Sequence, residues 1–131
     1  MTIRPLILML GICSVTAQAA SGADVRRTKF ADGLLGTWAL SQSACESIDS
    51  SNVLISEVQF SNSEGKCDVQ WIVERPAAHG ATYGVHANCS DPKQPDGARA
   101  ADFIFWLQDK DRALIGKTFN DLKAYQRCTA K

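Results

Sequence analysis

Along the chain, apolar and polar residues alternate with a period of two over short runs, and the three-to-four spacing of an amphipathic helix is missing. Such runs cover residues 35–40, 53–60, 66–75, 81–89, 102–108, 112–117 and 122–128, and each predicts a strand. Turn-forming segments stand between them: 61–65, 76–80, Asp91-Pro92 through Asp96-Gly97, Asp109-Lys110-Asp111 and Asn120-Asp121. Short strands punctuated in this way predict an all-β fold, a small antiparallel up-and-down β-barrel or sandwich of about seven to eight strands. Residues 90–100 are expected to be the longest irregular stretch.

The first residues break the pattern. A basic start with Arg4, an apolar stretch from Pro5 to Val15 and the small-residue site Ala17-Gln18-Ala19 predict a signal peptide over residues 1–19. Residues 20–32 are then expected as a flexible N-terminal arm and 33–131 as the barrel domain. Cys13 would leave with the signal, so Cys45, Cys67, Cys89 and Cys128 remain, an even number in an exported chain. Two disulfides in an oxidising compartment are expected, because no C-x-x-C knuckle supports a zinc site.

The strand 66–75 and its successor test the pairing. A turn centred on Ala78 sets Cys67 opposite Cys89, Val69 opposite Ala87, Trp71 opposite Val85 and Val73 opposite Tyr83, all on one face. Asp68, Gln70, Glu74, Thr82, His86 and Asn88 fall on the other, with Ile72 the single misfit. A Cys67–Cys89 bridge follows, which leaves Cys45 to pair with Cys128. The alternation further places Trp71, Phe103, Phe105 and Leu107 in the core. Ile104 and Trp106 face outward with Ile72, the one sticky patch on the expected surface.

Charge and chemistry narrow the function. Across 131 residues, 14 basic groups balance 14 acidic ones, which does not suit a chain that holds a phosphate backbone. No apolar stretch reaches the roughly 20 residues of a membrane span. No motif for a cofactor or metal is present, so none is expected, and no catalytic set stands out. His79 falls in an expected turn and His86 on a solvent face. Ser41, Ser43, Ser47, Ser50 and Ser51 read as a polar loop, and Asp109 and Asp111 flank a turn where aspartate is common.

Leu34-Leu35-Gly36-Thr37-Trp38-Ala39-Leu40, followed by Cys45, resembles the G-x-W opening strand of the lipocalin and avidin superfamily of small barrels. It is most similar to the bacterial periplasmic inhibitors of secreted metalloproteases, and the match covers this first strand. The resemblance implies a barrel that Gly36 and Trp38 close at one end. With export, two staples and no catalytic set, it points to a non-enzymatic periplasmic or secreted binding protein, a monomer whose partner is another protein and which inhibits a secreted hydrolase such as a protease. Candidate contact segments are the arm 20–30, the outward pair Ile104 and Trp106, and the loop with Pro92, Lys93, Gln94 and Pro95. The alternative is a lipocalin-like carrier of a small apolar ligand, which would need an empty cavity in the barrel.

Overall fold

The structure, a computed structural model, describes residues 24–47, 51–91 and 93–129. The expected signal segment 1–19, the arm residues 20–23, Ser50 and Pro92 lie outside them. The described residues form strands β1 (Val25–Arg27), β2 (Gly36–Ala39), β3 (Val53–Ile55), β4 (Gln59–Asn62), β5 (Gly65–Pro76), β6 (Ala81–Asp91), β7 (Gln94–Asp109), β8 (Arg112–Gly116) and β9 (Lys123–Arg127). One helical turn, α1 (Gln42–Cys45), occupies the serine-rich loop, where the Ser41 hydroxyl accepts from the Ala44 N–H and caps it.

Strands β2 to β9 pair each with the next, antiparallel throughout, and β9 returns to β2, so eight strands close into an up-and-down barrel. The ninth, β1, is the first part of the expected arm. It lies along the upper half of β5, Val25 opposite Glu74 and Arg27 opposite Ile72, on the edge that β4 covers lower down. Two ion pairs hold it there, Arg27 Nη2 to Glu74 at 2.8 Å and Arg75 Nε to Asp24 at 3.1 Å. Two strand bounds differ from expectation. The run 53–60 is two strands joined at 56–58, and residues 90–100, expected to be irregular, extend β6 and β7 into a hairpin closed by Asp91 opposite Gln94. Lys93 and Gln94 therefore stand at the tip of that hairpin, since the small residues Ala100 and Ala101 continue the ladder opposite Asn88 and Ala87 as well as larger ones do.

The β5–β6 register is the main correction. Cys67 faces Cys89 and Val69 faces Ala87, but a bulge between Val69 and Trp71 then shifts the pairing by one residue. A bulge lets two residues of one strand oppose one of its partner, and beyond it every side chain changes face. Ile72 opposite Val85 is fully buried, whereas Trp71 opposite His86 turns outward. The one misfit of the alternation belongs to the core, and Trp71 does not.

Inside, Phe30, Phe60, Phe103 and Phe105 meet edge to face with ring centroids 4.9 to 6.0 Å apart. Trp38 plugs the end near the N-terminal 3-10 turn Asp32–Leu34, its indole N–H donating to the Leu34 carbonyl at 2.9 Å. Arg127 of the last strand lies over the Trp38 ring at 4.4 Å and donates to the carbonyls of Leu35, Gly33 and Lys110. Gly36 makes room for it: its φ of 122° favours glycine, and a Cβ there would sit 3.3 Å from the Arg127 guanidinium. Both disulfides form as expected, Cys67–Cys89 between neighbouring strands and Cys45–Cys128 across 83 residues, joining the segment after β2 to the end of β9.

Candidate functional site

The bulge that buries Ile72 creates a surface feature. Trp71 stacks on the His86 imidazole, rings 4.0 Å apart and 15° from parallel, while the Arg26 guanidinium of β1 lies 5.0 Å from the other side of the indole. His86 Nδ1 is 2.6 Å from an Asp102 oxygen, so the outward residues of three adjacent strands form one continuous row, Trp71, His86, Asp102. The next row runs Val73, Gly84, Ile104, Gly116, and the one after it Arg75, Thr82, Trp106, Leu114. Gly84 has no side chain, so the middle row is sunken. The result is a cleft of ≈ 450 Å³ on the outer face, with the Trp71 edge on one side and Phe119 of the β8–β9 loop on the other. Phe119 is 65% exposed.

That loop is held in shape. The Asp121 carboxylate accepts from the Thr118 N–H at 2.7 Å and is 3.1 Å from the Thr118 hydroxyl, and these contacts, the backbone one foremost, lower its pKa. Gly116 allows the approach, since a Cβ there would lie 2.8 Å from Asp121 Oδ1. Phe119 is thus presented from a closed turn.

The open end of the barrel carries a second concavity. Lys117 Nζ reaches Glu64 Oε2 at 3.0 Å, linking the β4–β5 turn to the β8–β9 loop on the opposite side of the mouth. This bar divides the mouth into clefts of ≈ 700 Å³ and ≈ 340 Å³, both floored by Phe103. Beneath Phe103 stand the other three phenylalanines, so the apolar interior is filled with side chains.

The structure brings together some of the expected contact residues and separates others. Ile104 and Trp106 face outward on β7, as the alternation requires, and both are half-buried. The Trp106 indole donates to the His79 carbonyl at 2.8 Å, which pins it over the β5–β6 turn, while Ile104 lines the cleft. Lys93 and Gln94 lie at the β6–β7 tip by the mouth, away from that cleft. Gly36 and Trp38 close the far end. Three participants escaped the sequence. Simple alternation places Trp71 in the core, and only the misfit at Ile72 points the other way. Phe119 sits in a turn segment that carries no periodicity. Arg127 packs on Trp38 from 89 positions further along the chain, which no local pattern can reveal. Among the described residues, no cluster of histidine, cysteine and carboxylate groups could hold a metal, and no helix is long and apolar enough to cross a membrane. No family model, curated protein or solved structure matches the chain.

Proposed function

We propose that this is a non-enzymatic exported binding protein that holds another protein on the outer face of β5, β6 and β7, as an inhibitor of a secreted hydrolase would. The observation that carries this reading is the packed interior. A lipocalin-like carrier needs a cavity within its walls, and here the four phenylalanines occupy that space and leave the outside as the place for recognition. The outer face adds the aromatic and aliphatic groups that anchor protein interfaces, Trp71, Ile104, Trp106 and Phe119. The two disulfides fit an oxidising compartment and stiffen the barrel before it binds, which lowers the entropy cost of association.

The ≈ 700 Å³ mouth cleft supports a second reading, a small ligand held at the rim, and its size alone favours it. One experiment separates the two. Immobilised protein is exposed to periplasmic extract and culture fluid, retained proteins are identified, and their hydrolytic activity is measured with and without the free protein. Stoichiometric retention of a hydrolase that loses activity supports the inhibitor. Retention of no protein, together with saturable binding of an apolar fluorescent probe to the barrel, would replace it with the carrier.

A further inference from the structure

Gly84 is the least expected residue on the outer face. Glycine in a strand interior weakens the strand unless a bend, a positive φ or a close backbone approach demands it. None does here. Gly84 is not among the positive-φ glycines, and a Cβ built on it would meet only the Val73 carbonyl at 3.9 Å, an ordinary contact. Gly80 and Gly116 differ, since a Cβ there would lie 1.8 Å from the Leu107 carbonyl and 2.8 Å from Asp121. What Gly84 provides is empty space between Val73 and Ile104, bounded by the Trp71 edge and by Phe119.

The walls are set before anything binds. Trp71 is clamped on both faces by Arg26 and His86, so its ring loses no freedom when a group packs against its edge. The rim is rich in donors. Arg75 uses Nε on Asp24 and keeps its terminal nitrogens, and Lys117 places one contact on Glu64 and retains further N–H groups. The nearest carboxylate of the cleft, Asp102, already has one oxygen on His86. An apolar hollow with two cationic groups beside it matches a ligand of opposite design.

We propose that this cleft is a socket for one apolar or aromatic side chain of the partner protein, with a carboxylate of the partner next to that side chain and engaged by Arg75 and Lys117. The inference rests on the protein-binding reading above and names where and by what chemistry the partner is held.

The test uses N-acetyl-phenylalanine as the carboxylate probe and N-acetyl-phenylalanine amide as its neutral twin, followed by amide NMR on the whole exported protein, wild type and Gly84→Val. The carboxylate should move the resonances of Gly84, Ile104 and Phe119 saturably, and the amide should bind several-fold more weakly, by roughly threefold or more for the loss of a charge-assisted contact. Gly84→Val should unfold at the same temperature as wild type or higher, because valine suits a strand, yet lose binding by at least about tenfold. A Phe119→Ser variant, which leaves the barrel untouched, should weaken binding in the same direction. Shifts confined to the mouth, equal binding of both probes, or a folded Gly84→Val protein that binds like wild type would each overturn the socket. Capture of a partner equally by wild type and Gly84→Val would remove the socket while leaving the protein-binding reading in place. Socket binding of the probe with no protein captured would do the reverse.

Discussion

Two tryptophans each meet an arginine, with different consequences. Trp38 is fully buried beneath Arg127, and its loss removes a plug from a packed end. Trp71 is 37% exposed, and its Arg26 contact orients it rather than burying it. Trp38→Ala should therefore cost about 3 to 5 kcal/mol in unfolding free energy. Trp106→Ala should cost no more than about 1 to 2 kcal/mol, since it loses a half-buried ring and one hydrogen bond. Denaturant unfolding of the two variants side by side checks this, and equal destabilisation would place Trp106 in the core. At this scale the sequence was legible where a residue's fate depends on its own strand. The outward Ile104 and inward Tyr83 follow from parity, while Arg127 over Trp38 depends on closure of the whole barrel.

At the scale of the element, β5 shows how one extra residue redirects a strand. Up to Val69 the alternation read from the sequence holds, which is why the Cys67–Cys89 pairing was legible. After the bulge it fails, because the bulge leaves no signature in composition beyond the apolar Ile72 at a polar place. Deleting Gln70 removes the extra residue and leaves Val69, Trp71 and Ile72 opposite Ala87, His86 and Val85, so Trp71 should stay outward and Ile72 inward. Exchanging Trp71 and Ile72 should instead force the indole inward where Ile72 now packs and cost about 1 to 3 kcal/mol through overpacking. Melting both variants by circular dichroism distinguishes these outcomes. The docking of β1 is a matter of charge. The Arg27 hydrogen bond, with a further one from the Tyr83 hydroxyl, holds the Glu74 pKa below its ordinary 4.5. A lowered carboxylate pKa stabilises the folded form above that ordinary value, and the contribution fades as pH falls through the folded-state value. The amides of β1 should accordingly lose hydrogen-exchange protection in acid, below about pH 4.5, before the barrel does, and Arg27→Gln should remove that pH dependence. At the alkaline end, burial first and the neighbouring Glu74 second push Tyr83 up to about 12. Its proton is held longer in the folded state, so stability should decline as pH rises from 10 towards 12, with the phenolate absorbance following the same course.

For the whole molecule, closure is the organising fact. A meander of eight strands has two free edges until β9 meets β2, and the Cys45–Cys128 bridge fastens that seam. Its loop of 83 residues, against 22 for Cys67–Cys89, makes it the larger entropic constraint on the unfolded chain, by about 1 kcal/mol in the loop-closure model. Replacing Cys45 and Cys128 by alanine should lower the melting temperature more than replacing Cys67 and Cys89, as calorimetry would show. The barrel and both bridges could be read from strand spacing and cysteine parity. The binding face could be read only in part, since Ile104 was visible but Trp71, Gly84 and Phe119 converge on it only after the register shift and loop closure. A filled barrel that binds on its outside is the central claim, and substitution on opposite walls tests it most directly. Ile104→Asp places a charge on the β7 face, and Leu54→Asp places one at an exposed position of β3 across the barrel. In retention of proteins from periplasm and culture fluid, Ile104→Asp should lose the partner that wild type holds, with Leu54→Asp retaining it; a folded Ile104→Asp protein that retains that partner as wild type does would contradict the account.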